Sequence, residues 1–436
     1  MKWGAVVAAA PYFVPGSALG QDGRAAPSER VVIGHIGVGG MGNSNADNFR
    51  RLSECQIVAA ADVDANHLRD FKKKNDEHYG NTDTKVYGDF RELIARDDID
   101  AVCIATPDHW HSIPVLAAAA AKKDIYCEKP ISHTFAEGVA MVNAVQSNNR
   151  IWQTGSWQRS QYNFRLGAEI VRNGHIGKVQ KVEVGLPYGH SGGVDRAAYA
   201  AITKPSAVPA ELDYDFWIGP APEMFYCPAR THFHWRWNLN TGGGQLMDWI
   251  GHHNDIAHWG IGRDMSGPVR VRATGNFPAK NEVWNSPVSY LVESTYEDGV
   301  VVIIKDAPSI DRNESAEIGH YMGVKWIGED GWLYVDRGGK LQGSNPDWNK
   351  AGFETGDVKL YESRDHWQNF VDGVKTRKQT ITPIEVSHRS ITPGHLAYVS
   401  MATGRAVDWD PVNQRVVGDE GAAGMLSKKM RQPWSI

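Results

Sequence analysis

The run Gly37-Val38-Gly39-Gly40-Met41-Gly42 stands directly behind the apolar stretch Val31-Val32-Ile33-Gly34-His35-Ile36, and it limits the folds open to this chain more than any other feature. An apolar stretch of that length reads as a buried strand, and the residues from Gly42 to Leu52 suit a helix. In a strand–turn–helix unit each glycine has a task. Gly37 permits the tight turn, Gly39 lets the backbone approach a pyrophosphate, and Gly42 lets the helix pack closely on the strand. The helix start then offers unpaired N–H groups to phosphate. A second strand, Gln56 to Ala61, ends at Asp62, about 20 residues beyond the last glycine, where a carboxylate accepts both ribose hydroxyls. No arginine stands in Asp62-Val63-Asp64, and a carboxylate repels a 2′-phosphate. The expected ligand is therefore NAD(H) rather than NADP(H).

The alternation continues over 31–154. Strands are expected at 85–87, 100–105, 124–127 and 151–154, with helices at 90–95, 110–121 and 134–146. Alternating strands and helices give an α/β fold with a doubly wound parallel sheet, the Rossmann arrangement. Ligands bind beyond the C-terminal strand ends. By position these ends carry Gly37, Gly39, Gly40, Met41, Gly42, Asp62, Thr106, Pro107, Trp110, His111, Glu128, Lys129 and Gln158 as cofactor contacts.

A chain of 436 residues exceeds one ordinary core, and residues 155–436 read as a second α/β domain. Its strands are expected near 178–186, 269–274, 288–296, 300–305, 323–327 and 332–335, forming a large, mainly antiparallel sheet. Helices are expected at 241–260, 365–375 and 386–403, and the tail after Trp409 reads as an arm. Residues 187–240 form a long irregular stretch rich in aromatic residues and histidine, which suits sugar contact. Within it, His232 and His234 on an extended segment would face one side, but no further ligand has convincing spacing, so no metal is expected.

Acids outnumber bases, 51 to 46, which argues against a nucleic-acid partner. The four cysteines are too few for a disulfide framework, and Cys103 and Cys127 lie in strand-like runs as core thiols. Residues 1–30 begin with a short apolar run, too short to span a membrane, followed by small residues and a polar linker. The run reads as an export-signal remnant, implying a periplasmic or exported protein, or as an apolar arm on a cytoplasmic one.

Chemistry concentrates at two further places. Lys129, in Glu128-Lys129-Pro130 just past a strand, can hydrogen-bond a substrate oxygen and favour a developing alkoxide, or can simply pair with Glu128. Asp248 and His252 are spaced i, i+4 and share a helix face, with Asp255 close to it. A carboxylate beside an imidazole orients it as a base, although a core-satisfied pair has the same spacing. Trp157, Arg159 and Tyr162 open the second domain and can face substrate, with a structural ion pair as the other reading of Arg159. Trp235 offers a stacking face to a sugar.

With GVGGMG at 37–42, Asp62, TPDHWH at 106–111, CEKP at 127–130 and GGGQLMDWIGHHND at 242–255, the chain resembles the Gfo/Idh/MocA family, over nearly everything after about residue 30. The resemblance implies a Rossmann domain followed by an α/β domain with an open antiparallel sheet. It implies hydride exchange between a nicotinamide cofactor and a sugar or cyclitol, in a dimer or tetramer. It gives Lys129 contact with the reacting oxygen, Asp248 and His252 the acid–base role, and places Trp110, His111 and Gln158 near the nicotinamide. Some relatives use bound NAD to cleave glycosidic bonds, and a non-catalytic NAD-binding sensor is a third reading. Retention of Asp248 and His252 favours redox turnover.

Overall fold

The computed structural model describes residues 26–187, 196–279, 281–306, 322–350 and 352–436. The apolar N-terminal run, and the export reading attached to it, lies outside these residues, as do Tyr188 and His190 of the aromatic stretch expected to contact sugar.

The first sheet comprises β1 (Val31–Ile36), β2 (Cys55–Ala61), β3 (Lys85–Tyr87), β4 (Ala101–Ile104), β5 (Asp124–Cys127) and β6 (Trp152–Thr154). Its order is β3-β2-β1-β4-β5-β6 and every pair is parallel. β4 and β5 are buried along their whole length because helices cover both faces, so they show no polar alternation. The strand order reverses between β1 and β4, which opens a crevice at their C-terminal ends.

The second sheet is mixed. It holds β7 (Val179–Leu186), β8 (Arg270–Asn276), β9 (Ser289–Thr295), β10 (Val301–Asp306), β11 (Gly323–Gly328), β12 (Trp332–Asp336), β13 (Lys340–Gly343), β14 (Val407–Asp410) and β15 (Arg415–Val416). Its order is β13-β12-β11-β7-β10-β9-β8-β14-β15, and only β7 and β10 run parallel. Burial alternates along β7, β8 and β9, the mark of a sheet with one packed face. The helices Gly244–Ile261 and Ile384–Thr403 cover that face.

Three expectations change. The helix His366–Thr376 belongs to the second domain in sequence but sits in the Rossmann core, because Phe370 and Val371 pack with Phe49 and Tyr126. The tail after Trp409 is no projecting arm. It adds β15 and a short helix, Glu420–Gly424, and Trp434 then stacks on Phe216 and meets Trp110 edge-on at 4.8 Å. Residues 196–240 are not bare loop: the helices Arg196–Ile202 and Tyr214–Ile218 and two 3-10 turns carry them, and Leu212, Tyr214, Trp217, Tyr226 and Trp235 form a small apolar cluster of their own. All four cysteines are buried and free. Among the described residues, no helix is long and apolar enough to cross a membrane.

Candidate active site between the two sheets

A groove of about 460 Å³ runs from the glycine turn to the start of the Gly244–Ile261 helix. Its floor is made by the turn after β1. Gly37 has φ +80°, and a Cβ there would lie 2.8 Å from the Ala105 backbone. A Cβ on Gly42 would lie 2.0 Å from the Gly37 carbonyl, so only glycine lets helix and turn touch. The Gly40–Arg50 helix starts with no side chain capping it, and nothing within 4 Å crowds a Cβ position at Gly40. These free N–H groups on an open backbone fit a pyrophosphate. Asp62 is fixed at the end of β2 by two backbone amides: Val38 N–H donates to Oδ2 at 2.8 Å and Asp64 N–H to Oδ1 at 2.9 Å. His67 Nδ1 approaches the same carboxylate at 3.4 Å, and that hydrogen bond raises the imidazole pKa. The donor set therefore fits NAD: amides for the phosphates and a carboxylate for the ribose. Asp62→Asn removes the charge that repels a 2′-phosphate. It is expected to narrow the preference for NAD over NADP by roughly tenfold in binding titrations followed by NADH and NADPH fluorescence.

Of the expected cofactor contacts, Gly37, Gly39, Gly40, Met41 and Asp62 line one end of this groove. Thr106, Pro107, Trp110, Glu128 and Lys129 line its middle. Gly42 lies behind the turn. His111 is buried, with its ring nitrogens 2.8 Å from the Pro130 carbonyl and 2.9 Å from that of Thr106, so it ties the two loops together rather than facing the groove. Gln158 is also buried, bonded to His253 and accepting from Arg337.

Lys129 reaches across to the Gly244–Ile261 helix. Its Nζ donates to the Asp248 carbonyl at 2.6 Å and to Asp248 Oδ1 at 3.0 Å, and leaves Glu128 to a buried hydrogen bond with Asn45. Arg236 Nε donates to the same Oδ1 at 3.3 Å. Burial alone would push the Asp248 carboxyl up, but the two cations outweigh it and hold it below its usual range. Asp248 is thus engaged with cations, not with His252 as the i, i+4 spacing suggested. A neutral imidazole competes poorly for a carboxylate against an ammonium and a guanidinium. His252 lies beside Trp249 and Trp157, ring centroids 5.5 and 6.0 Å apart, and its Nδ1 is buried without a partner. Burial, then Lys129 and Arg337, lower its pKa well below the ordinary histidine value, so it is neutral at pH 7.

The remaining substrate-side residues separate. Trp157 stands beside His252, and Trp235 lines the groove. Tyr162 is 63% exposed and lies off the groove. Arg159 is not available to substrate: its side chain is 2% exposed and clamped by Asp255 at 2.6 Å and Asp264 at 2.8 Å, which also removes Asp255 from the neighbourhood of His252. His232 and His234 do not share a side, because their segment is a 3-10 turn rather than extended. His234 stacks on Trp284, while His232 turns to Asp64 and His67, the three placing ligand atoms within 4.8 Å of one another.

Asp108 lay in a candidate segment but had no role of its own in the sequence. It lies in the TPDHWH segment, is 2% exposed, and accepts one long hydrogen bond from Gly243 N–H at 3.3 Å. Burial, then the Asp248 charge, raise its carboxyl to about 8. The unfolded chain loses this proton near about pH 3.9, and the folded protein keeps it to higher pH. Its contribution to stability therefore falls as pH rises from the first value to the second. Asp108→Asn, which mimics the protonated form, is expected to change the thermal midpoint little at about pH 4 and to raise it at about pH 8. Melting curves of both proteins across that window provide the check.

Fold and geometry together define a two-domain protein with a dinucleotide-shaped groove on the seam between its sheets. Residues 31–156 match the family model "Oxidoreductase family, NAD-binding Rossmann fold", and residues 167–436 match "Oxidoreductase family, C-terminal alpha/beta domain". The chain belongs to the Gfo/Idh/MocA family, and its first domain is an NAD-binding Rossmann domain. Among its curated relatives is a myo-inositol 2-dehydrogenase from Thermotoga maritima, 26% identical over 306 residues, covering 70% of this chain and 75% of the relative. An inositol 2-dehydrogenase from Acidothermus cellulolyticus is 35% identical over 153 residues, 35% of this chain and 43% of that one. Among solved structures, a WlbA dehydrogenase from Chromobacterium violaceum, in complex with NADH and UDP-GlcNAcA, superposes with a TM-score of 0.63. It has 16% identity and covers 89% of this chain and 98% of that one, a likeness of fold.

Proposed function

We propose that the protein is an NAD(H)-dependent oxidoreductase acting on a hydroxyl-bearing carbon, or the matching ketone, of a sugar, glycoside or cyclitol. One observation carries this reading. Lys129 from the Rossmann domain and Asp248 from the second domain meet at 3.0 Å on the wall of the groove, with His252 one helical turn further along. The inositol dehydrogenases among the relatives support the substrate class.

When bound, the nicotinamide serves as hydride acceptor. Lys129 Nζ donates a hydrogen bond to the reacting oxygen and stabilises its developing negative charge. His252, one turn beyond Asp248, neutral and buried beside Trp157 and Trp249 just outside the groove lining, is assigned the hydroxyl proton. Asp248 acts on Lys129: it fixes where the ammonium points and keeps a carboxylate beside it. Trp157 and Trp235 offer apolar faces to a sugar ring.

The test follows two signals in one assay. Purified protein and NAD meet a panel of free sugars, cyclitols and aryl glycosides, and nicotinamide reduction and aglycone release are recorded together. Stoichiometric reduction without release supports the proposal. Release without net reduction would mean that the cofactor cycles within one turnover, and the protein would be a glycoside-cleaving enzyme instead.

A further inference from the structure

Three arginines lie around Asp248 and His252, and they differ in what neutralises them. Arg159 has two carboxylates and Arg236 has Asp248. Arg337, among the described residues, has no ion pair at all. It follows β12 in the turn toward Gly338 and Gly339. Its guanidinium carbon lies 4.4 Å from the Trp157 ring centroid and 4.3 Å from that of Trp249, a sandwich between two indoles. Nη2 donates to Gln158 Oε1 at 3.2 Å, and Nε is buried with no partner. The neighbouring Asp336 and the nearby Asp248 favour the charge only at a distance: Asp336 accepts from the Arg337 backbone N–H at 2.6 Å and approaches Lys340 at 3.6 Å.

Such an arrangement costs free energy. A partly desolvated cation with an orphaned N–H lacks what it lost in water, and only π faces compensate in part. The two indoles and Gln158 also fix the guanidinium plane, so its fork is already oriented. Arg337, Trp157 and Trp249 are only partly buried, and both indoles also flank His252. A planar anion arriving beside the base would meet the Nη edge of the guanidinium, which is not enclosed as Nε is, and a carboxylate matches that fork.

We propose that Arg337 binds a carboxylate carried by the substrate, so that the substrates are acidic sugars or cyclitol derivatives, such as uronic or aldonic acids. This rests on the redox reading above. It also gives substrate binding a second effect. Arg337 is one of the charges that disfavour protonation of His252, and a bound carboxylate offsets it, so the base strengthens when substrate arrives.

The experiment is calorimetric titration of the NAD-saturated protein with matched pairs: glucuronate and glucose, galacturonate and galactose, gluconate and glucitol. At least one acid is expected to bind on the order of tenfold or more tightly than its neutral counterpart. Arg337→Met is expected to level that pair, and Arg337→Lys to restore part of the preference. The proposal is overturned if no acid binds better than its counterpart, or if the preference survives in Arg337→Met. Should Arg337→Met fail to fold, Arg337→Lys decides alone: it keeps the charge but loses the fork, and an undiminished preference in it overturns the proposal. NADH absorbance in the same samples separates the two readings. Acid preference without NADH on any substrate sinks the redox reading and spares the anion site, whereas NADH from neutral sugars with no acid preference does the reverse.

Discussion

Replacing Lys129 by methionine is expected to lower kcat/KM for the sugar or cyclitol substrate by roughly a thousandfold, with NAD affinity held within about twofold. Methionine keeps most of the apolar stem, so the loss falls on the ammonium alone. In the native protein that ammonium donates to the Asp248 carbonyl and carboxylate and lies in the wall of the groove, 13% exposed, where water competes little for a substrate oxygen. An oxygen gaining charge during hydride transfer would lose its strongest donor. Asp248 would lose one of its two cations and keep Arg236, so the helix should hold its place while its carboxyl rises toward ordinary values. Three measurements decide the matter: steady-state kinetics, NADH fluorescence titration and a melting curve. If NAD binding collapses in step with the rate, Lys129 is a structural strut between domains and its catalytic assignment fails.

The Rossmann half of this molecule was legible because its signals are local. Glycines 37, 39 and 42 punctuate one strand–turn–helix unit and Asp62 closes the very next strand, so their spacing carries the geometry. The alternation of β7 was legible for the same reason, since period two is set by the strand itself. What was hidden depends on partners far apart in sequence. The i, i+4 spacing places Asp248 and His252 on one helix face, but the chemistry of Asp248 is decided by Lys129 and Arg236, which the fold brings from elsewhere. Asp108 carries no local mark of burial, and its neighbours Gly243 and Asp248 lie on the other domain. Arg337 is one arginine in a glycine-rich turn until Trp157 and Trp249 close on its faces. The tail was misread because its anchor, Trp434, meets Phe216 and Trp110 only in three dimensions.

Arg159 offers the sharpest contrast between the two readings its position allowed. A substrate-binding arginine replaced by leucine would raise KM and leave the melting temperature alone. The structure leads to the opposite expectation. Nε and Nη2 hold both oxygens of Asp255 at 2.6 and 2.9 Å, Nη2 and Nη1 hold Asp264 at 2.8 and 3.2 Å, and the guanidinium lies over Trp259. Arg159→Leu would leave two carboxylates facing an apolar side chain, with Asp255 fully enclosed. Breaking a buried pair from one side costs about 3–5 kcal/mol, because the remaining charge keeps its desolvation penalty and loses its partner. The cost should depend on pH. Burial already pushes the Asp255 carboxyl upward against Arg159, and without the arginine it would rise further. A carboxyl whose folded pKa is raised destabilises increasingly as pH climbs from the unfolded value to the folded one, so the variant should lose least in mild acid and most at alkaline pH. Asp264 behaves oppositely in the native protein: burial would raise it, Arg159 overcomes that, and its stabilising share is present above the unfolded pKa and lost in acid. Adding Asp255→Asn to Arg159→Leu removes the trapped charge and is expected to recover a large part of the loss. Denaturation of the native protein, the single variant and the double variant at acid and alkaline pH would show it. A single variant as stable as the native chain at every pH, with an altered KM, would return Arg159 to the substrate.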